Sequence, residues 1–506
     1  MTSYEHLQPI DTPIAADRQA AKRHYGVHPY FTRRPFNVVR RYIEHYSREG
    51  DRVLDPFGGS GVTAIEAFLS NRTGIQNDIN PLANFIAQGI IDLSKGGLAD
   101  YTAALNQIRH QSERRVLALN DSDDAAVRLL LKDLPLPSNV RLPANADVQR
   151  YHDLFSLRQL AALTLIRVAV DAVRNRYARS AMRLAWSATL AKINRTFLSA
   201  EGRAESRGGS SIFSIYRYKV AAKPVELSPW PTFYERAQNV LAAKEEIDRE
   251  IDYRERTGGF RGKFEIHDVD IDELPSCVAP VDYIFTDPPY GGHISYLDLS
   301  TLWNAWNGTM PSEKYREREL IVGGDLNLSE AAYVKRLHES IRTCFALLKR
   351  QRWLSIVFQH WSTAYFDSIL TAAAEAGADL RAAISQVGDP IWSMHKKKNK
   401  QSVLSGELIL TFLKTGVPKR VDAEKAFDVE AAIARILSDA PNHMVYGEYL
   451  LNQIVIDAWR SGALGSLDID RTEFAEIMQR QGWSYDGKSH QWRHVNAVPI
   501  SLLGTA

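Results

Sequence analysis

The segment TDPPYGGHISYLDL, which begins at Thr286, follows the apolar run VDYIF and places an acid, two prolines and a tyrosine in succession. Two prolines end the strand, at the edge where open α/β sheets bind ligands. The stiffened backbone would hold the carboxylate and a neighbouring carbonyl as two acceptors for one planar NH2 group. Such acceptors favour a pyramidal aryl amine with an available lone pair, by positioning and electrostatics alone. The candidate catalytic residues are therefore Asp287, Pro288, Pro289 and Tyr290, the last as a face on which a flipped base can stack.

A second candidate site lies in VLDPFGGSG, where three glycines stand between an apolar strand and a helix. Glycine permits a tight turn close to a ligand at the positive end of the helix dipole. Asp78 ends the next strand, where such folds place a carboxylate on a ribose hydroxyl pair. The loop departs from G-x-G-x-x-G, and its acid would repel a pyrophosphate but suits the sulfonium and ammonium groups of S-adenosylmethionine. The loop residues predicted to bind this cofactor are Asp55, Pro56, Phe57, Gly58, Gly59 and Gly61.

Asp268, at the end of the predicted strand FEIHD, is a third candidate acid. A carboxylate there would accept a hydrogen bond from the adenine amino group of the cofactor. A helix cap or a solvated strand end is the alternative interpretation.

Predicted strands and helices alternate around these residues, and this alternation predicts a parallel sheet. In the first part we predict strands Arg52–Asp55 and Gly74–Asn77 with helices Val62–Leu69 and Pro81–Ala87. In the second part we predict strands Gly262–Ile271, Val281–Tyr290, Trp353–His360, Leu380–Val387 and Ser405–Lys414, and helices Tyr333–Lys349 and Thr363–Ala376.

Long stretches with apolar residues at helical spacing interrupt this alternation between Asp100 and Lys244. The fold class predicted is α/β, with a Rossmann-like sheet split by a helical insertion. Helices Ala423–Leu437, Val445–Ser461 and Thr472–Arg480, followed by GWSYDGKSHQW, predict a small C-terminal domain, for which a winged-helix-like fold is one interpretation. The predicted domains are 1–95 and 262–418 for the two parts of the sheet, 96–261 for the insertion and 419–506 for the C-terminal domain.

Composition is neutral on partners, because 62 Lys+Arg against 60 Asp+Glu leave a formal charge of +2. Cys277 and Cys344 provide neither a disulfide framework nor a zinc site, and no metal is expected. The sequence shows no apolar stretch of membrane-spanning length and no signal peptide at its start, so a cytoplasmic location without membrane contact is the expectation.

The chain resembles the amino-methyltransferases of DNA, which methylate the 6-amino group of adenine or the 4-amino group of cytosine with S-adenosylmethionine. VLDPFGGSGVTAIEA with NDINPLA resembles the cofactor motifs, and DPPYGG followed by YLDLSTLWNAW resembles the catalytic motif and its helix. HYGVHPYFTRRPFNVVRRYI resembles the segment that helps hold the methionine moiety. The likeness covers residues 24–95 and 262–415 and implies a seven-stranded sheet that ends in a reversed hairpin.

The resemblance also implies roles for individual residues. Asp55, Phe57, Gly59 and Gly61 would face the methionine end of the cofactor, Asp78 the ribose and Asp268 the adenine, while Asp287, Pro288 and Tyr290 would hold the target. Thr32 and His28 are candidates for the cofactor carboxylate. The helical insertion lies between the ribose acid and Asp268, which fits none of the usual motif orders, so its role in target recognition stays open.

The function expected from this resemblance is site-specific methylation of double-stranded DNA, with adenine preferred over cytosine because DPPY serves mainly adenine enzymes. A restriction-modification or defence setting would add a cognate endonuclease or defence subunit as a partner. One alternative is an RNA methyltransferase acting on the 2-amino group of guanine, since those enzymes also carry a GSG loop and DPPY. The other is a non-catalytic nucleotide-binding adaptor, against which the intact Asp287 and Tyr290 argue.

Three basic segments are candidates for phosphate contacts, which fix register without reading sequence. They are the pair Arg33–Arg34, the run Lys396–Lys398, and GRAESRGGSS with the following YRYK. A solvated surface is the alternative interpretation of each.

Overall fold

A computed structural model describes most of the chain. The described residues are 4–17, 21–198, 209–220, 225–292, 294–360, 362–386, 407–418, 426–438, 444–445, 447–463, 466–467, 469, 471–486 and 491–495. The predicted basic run Lys396–Lys398 and residues 202–208 of the GRAESRGGSS segment lie outside them.

Helices in the described residues are numbered in chain order. They are α1 (Phe36–Tyr46), α2 (Val62–Leu69), α3 (Pro81–Asp92), α4 (Leu98–Ala118), α5 (Asp124–Lys132), α6 (Leu157–Asp171), α7 (Arg176–Leu190), α8 (Ser211–Ser214), α9 (Pro229–Thr257), α10 (Tyr296–Asn307), α11 (Glu313–Glu317), α12 (Glu330–Leu347), α13 (Thr363–Glu375), α14 (Val429–Ser438), α15 (Gly447–Arg460) and α16 (Arg471–Arg480).

The strands are numbered in the same way. They are β1 (Arg52–Asp55), β2 (Thr73–Asn77), β3 (Phe197–Leu198), β4 (Gly209–Ser210), β5 (Lys263–His267), β6 (Val281–Thr286), β7 (Leu348–Phe358), β8 (Ala378–Gln386), β9 (Glu407–Lys414), β10 (Met444–Val445), β11 (Trp483–Asp486) and β12 (Gln491–His494). The main sheet has seven strands in the order β5-β2-β1-β6-β7-β9-β8. The predicted α/β class with a mostly parallel sheet is therefore confirmed.

The chain divides into two compact units. Unit 1 contains Met1–Ala15, Val278–Tyr290 and Ala331–Ala506, and unit 2 contains Ala16–Cys277 and Gly291–Glu330. The four-domain division made from the sequence stays a prediction.

Unit 2 contains the parallel strands β1, β2 and β5, with Arg52 opposite Thr73 and Thr73 opposite Lys263. Every residue of β2 and of α2 is buried, as expected for a parallel sheet covered by helices. The neighbouring strands β2 and β5 are separated in sequence by α3 to α9. Within this segment α9 packs against α4 and α7. Helix α7 packs in turn against α3, which links the inserted helices to the helix that follows β2.

Local signals explain where the helices of unit 2 begin. Asn80 caps α3 by accepting a hydrogen bond from the Leu82 amide, and Pro81 takes the first helical position, where its missing N–H costs nothing. Ser156 and Gln159 form a reciprocal capping box at the start of α6.

Unit 1 contains the other four strands of the sheet. β6 pairs in parallel with β7, whereas β9 is antiparallel to both β7 and β8, which is the reversed hairpin that the sequence predicts. The edge strand β8 contacts α13 and also α15, where Asn452 Nδ2 donates to Ser385 Oγ at 3.0 Å. β10, β12 and β11 form a separate three-stranded antiparallel sheet.

Predicted and observed elements agree closely around the candidate sites. The bounds of β1 and α2 are those predicted, and α13 ends one residue early. The strand predicted as Gly262–Ile271 ends at His267, because the Asp270 side chain caps a short 3-10 helix that begins at Ile271. The long helices of the described residues are all too polar to span a bilayer.

Candidate functional site

Asp55 ends β1 and organises the loop that follows. This carboxylate is buried, and its Oδ1 accepts a hydrogen bond from the Phe57 amide at 3.2 Å. Its Oδ2 accepts from the Thr63 hydroxyl at 2.7 Å, which ties the end of the strand to the first turn of α2. The acid that the sequence assigned to a cationic ligand therefore also fixes the shape of its own loop.

Two glycines of this loop bring its backbone close to neighbouring side chains. Gly61 has a φ of 90°, a left-handed value that L side chains rarely adopt, and an added Cβ would lie 2.7 Å from the Ala87 Cβ. A Cβ on Gly58 would lie 2.1 Å from Gln76 Oε1. At these two glycines the backbone of the loop passes close to Gln76 of β2 and Ala87 of α3.

Four amides of this loop donate to protein acceptors. The donor and acceptor pairs are Phe57 to the Asp55 carboxylate, Gly58 to the Asn77 carbonyl, Gly59 to the Asp78 carboxylate, and Gly61 to the Gly58 carbonyl. A phosphate-binding loop directs such amides at its ligand. This loop does not, so its chemistry favours a cofactor without a pyrophosphate.

Asp78, the predicted ribose acid, follows β2 and is half-buried. Its Oδ2 accepts from the Gly59 amide and its Oδ1 from the Asn80 amide, both at 2.8 Å. Burial raises the pKa of Asp78 to about 6, although both amides act to lower it. The neighbouring Asn77 binds the Pro56 carbonyl through Nδ2 at 3.1 Å. The predicted loop residues and the ribose acid therefore form one hydrogen-bonded group.

His28 and Thr32 lie on the segment before β1. Burial lowers the pKa of His28 to about 3, so its ring is neutral at pH 7. Nδ1 donates to the Pro29 carbonyl at 2.7 Å, and Nε2 accepts from the Ser187 hydroxyl at 2.9 Å, so both ring nitrogens are engaged within the protein. Thr32 Oγ1 lies 3.4 Å from the hydroxyl of Tyr296.

Arg33 turns inward from this same segment. Its Nε donates to Ser60 Oγ at 2.8 Å, inside the glycine loop, and its Nη2 donates to the His28 carbonyl at 2.5 Å. The sequence analysis placed Arg33 among the candidates for phosphate contacts. No pattern in the sequence separates Arg33 from Arg34 here, because the acceptor Ser60 lies 27 residues away.

Asp268 is exposed just beyond β5. The nearby Asp270 is buried and accepts from the Asp272 amide and from Arg318 Nη2, each at 3.0 Å. Asp268 thus keeps an accessible carboxylate at the strand end, and its assignment to the cofactor adenine stays a prediction.

The candidate catalytic residues lie in unit 1, immediately after β6. The Tyr290 hydroxyl donates to Asp287 Oδ1 at 2.5 Å. The Tyr290 ring lies edge-on to Phe358, with ring centroids 5.1 Å apart. The acid and the aromatic ring of the motif are therefore neighbours, and Asp287 is held by a hydroxyl from its own motif.

Tyr333, which the sequence analysis did not single out, holds the second proline of the motif. It is fully buried at the start of α12, and its hydroxyl donates to the Pro289 carbonyl at 2.6 Å. Its ring packs on Tyr365, which stacks on His360 with centroids 4.0 Å apart. The hydrogen bond from Tyr333 fixes the direction of the Pro289 carbonyl and so restricts the loop further. No local pattern marks a tyrosine 44 residues away as this donor.

Tyr333→Phe should lower the methyl-transfer rate about tenfold, because it removes one hydrogen bond that orients the loop and keeps the ring. Single-turnover transfer measures the rate, and calorimetry should show unchanged cofactor affinity. Tyr283→Phe is the matched control, since it removes another buried tyrosine hydroxyl of unit 1, bonded to Ser355 Oγ at 2.9 Å. Equal rates in the two variants would contradict an orienting role for Tyr333.

Comparison with known proteins agrees with these motifs. Residues 11–88 match a family described as DNA methylase, of the N6 and N4 type. This part of the chain is similar to the DNA amino-methyltransferase family. The match contains the glycine loop, the predicted ribose acid Asp78 and the segment before β1, so the resemblance inferred from the sequence is confirmed.

Two curated proteins are similar over part of the chain. The type II methyltransferase M.MjaII of Methanocaldococcus jannaschii is 28% identical over 75 residues, which are 15% of this chain and 14% of that protein. The probable type III restriction-modification enzyme HindVI Mod subunit of Haemophilus influenzae is 30% identical over 147 residues, which are 26% of this chain and 19% of that protein. The similar region thus spans less than a fifth of either relative.

Among solved structures, TrmN from Thermus thermophilus is similar over 36% of this chain and 40% of that chain. The two are 13% identical and the TM-score is 0.17, a value too low to support a conclusion.

Proposed function

We propose that this chain transfers a methyl group from S-adenosylmethionine to the exocyclic amino group of adenine in double-stranded DNA. The observation that carries the proposal is the fixed catalytic loop, in which Tyr290 bonds the Asp287 carboxylate and Tyr333 bonds the Pro289 carbonyl. An acid held next to an aromatic ring after a parallel strand is the arrangement that a planar amine requires. The match to the DNA methylase family supports DNA as the substrate class.

The bound cofactor would supply an electrophilic methyl group on its sulfonium. Asp287 accepts one N–H of the target amine, and a carbonyl of the proline pair accepts the other, so the nitrogen lone pair becomes available. Tyr290 offers its ring face as the surface on which the flipped base stacks. Asp78 binds the ribose and Asp268 the adenine of the cofactor, with the loop from Asp55 to Gly61 against its methionine end.

The residues before and after β1 fit this cofactor better than a dinucleotide. The loop amides are used within the protein, whereas a pyrophosphate would need them. Burial raises the pKa of the half-buried Asp78 to about 6, so at pH 7 this carboxyl is mainly ionised and can accept hydrogen bonds from a ribose hydroxyl pair.

The name of one relative, a type III Mod subunit, supports a restriction-modification setting with a cognate subunit as partner. For the C-terminal elements we propose the winged-helix-like fold. The order α14, β10, α15, α16, β11 and β12, with a three-stranded antiparallel sheet, supports it.

The decisive experiment is modification-sensitive long-read sequencing of DNA from a methylation-free bacterial host that expresses the chain, beside an Asp287→Ala control. We expect N6-methyladenine at one short sequence motif with the intact chain alone. N4-methylcytosine instead would correct the target base and retain the enzyme class.

The two alternatives give different results in the same cells. Methylated guanine in digests of cellular RNA, with unmodified DNA, would establish the RNA methyltransferase. Purified protein that binds the cofactor but modifies neither DNA nor RNA, with or without the cognate subunit, would establish a non-catalytic adaptor.

A further inference from the structure

We infer that Arg33 binds the carboxylate of the cofactor's methionine moiety, a role that the sequence analysis gave to Thr32 and His28. The inference rests on the proposed cofactor. Its evidence is the placement of the Arg33 guanidinium against the glycine loop and the absence of a carboxylate partner for it among the described residues.

The guanidinium is held from two sides. Nε donates to Ser60 Oγ between Gly59 and Gly61, and Nη2 donates to the carbonyl of His28. These two bonds fix the plane of the group, so the orientation of the remaining donor Nη1 is set before any ligand arrives. A donor fixed in advance loses little entropy on binding.

No carboxylate among the residues that the structure describes forms an ion pair with Arg33 or shifts its pKa. Burial lowers that pKa to about 10, and the groups that act against burial are the phenols Tyr30 and Tyr25. At pH 7 the side chain is therefore a partly buried cation whose neighbours are neutral. Such cations are usually paired with an anion, because desolvation without a counter-charge is unfavourable.

Arg40, seven residues further along, shows the contrast. It pairs with Glu66 and with Glu250, and these two acids raise its pKa against the effect of burial. Arg40 is a structural cation with its charges balanced inside the fold. Arg33 lacks that balance and lies at the loop where the methionine end is expected.

The other two candidates are poorer anion ligands. The His28 ring is neutral, and both of its nitrogens bond within the protein. Thr32 offers a neutral hydroxyl that lies 3.4 Å from the Tyr296 hydroxyl. A guanidinium matches the two oxygens of a carboxylate and carries the opposite charge.

Two ligands separate carboxylate binding from a general effect on the site. S-adenosylhomocysteine carries the amino-acid group, whereas 5′-methylthioadenosine has the same nucleoside and sulfur without it. In Arg33→Gln, calorimetry should show the affinity for S-adenosylhomocysteine about 30-fold lower and that for methylthioadenosine within twofold of wild type. Arg33→Lys, which keeps the charge, should recover part of the loss.

Three outcomes would overturn the assignment. An equal loss for both ligands would mean that Arg33 shapes the loop, and an unchanged affinity for both would mean that it binds neither. A loss confined to DNA affinity at low salt would return Arg33 to a phosphate contact. A wild-type protein that binds neither ligand would instead refute the proposed cofactor, which is a separate result.

Discussion

Asp287→Ala is expected to lower the rate of methyl transfer about 1,000-fold while the affinity for the cofactor stays within threefold of wild type. The substitution removes an acceptor that the amine nitrogen needs as positive charge develops on it. It also removes the partner of the Tyr290 hydroxyl. Single-turnover transfer to duplex DNA gives the rate, and calorimetry with S-adenosylhomocysteine gives the affinity.

Two further variants separate the loss of the Asp287 charge from the loss of the hydrogen bond that orients it. Asp287→Asn keeps an amide oxygen as acceptor but loses the negative charge, so its rate should fall between those of the wild type and the alanine variant. Tyr290→Phe keeps the ring and removes only the bond to Asp287. If the alanine variant kept more than a tenth of the wild-type rate, Asp287 would not be the acceptor.

The strands that carry the candidate residues could be predicted from the sequence because their signals are local. Two apolar runs each stand before residues that are typical of a strand end. VLD stands before a glycine loop, and VDYIF stands before two prolines. The predicted bounds of β1 therefore hold, whereas β6 ends at Thr286, before the prolines and four residues before the predicted end at Tyr290.

Contacts between distant residues could not be predicted in this way. The hydrogen bond from Tyr333 to Pro289 spans 44 residues and depends on how α12 packs. Arg33 and Arg34 are indistinguishable in sequence, yet Arg33 turns to Ser60 at a separation of 27 residues. Direction of a side chain, and not residue type, separates a surface cation from a ligand-binding one.

The glycine loop shows how the structure sharpens an argument made from charge. The sequence suggested a cationic cofactor because an acid stands within the loop. In the structure Asp55 is itself bonded to Phe57 and Thr63, so its charge is partly used in folding. The stronger argument against a dinucleotide is the internal use of the loop amides, which no sequence pattern reveals.

Asp78→Asn is expected to weaken cofactor binding about tenfold to 30-fold at pH 7, as for loss of charge-assisted hydrogen bonds. The wild-type affinity should fall as the pH drops through about 6, the pKa to which burial raises this acid, because the protonated form is a weaker acceptor for a hydroxyl pair. Burial raises the pKa of the neighbouring Glu319 to about 8, so Glu319 stays mainly protonated between pH 5 and 7 and does not account for a titration in that range.

The sign of this pH dependence separates a binding defect from unfolding. A carboxyl whose folded pKa lies above its unfolded value stabilises the fold at low pH, and that contribution is lost as the pH rises through about 6. Lowering the pH should therefore weaken cofactor binding, whereas the protonation of Asp78 favours the folded state. In Asp78→Asn the fall in affinity between pH 7 and 5 should vanish, whereas the exposed Asp121→Asn should keep it. An Asp78→Asn variant with the wild-type profile would show that this acid does not bind the ribose.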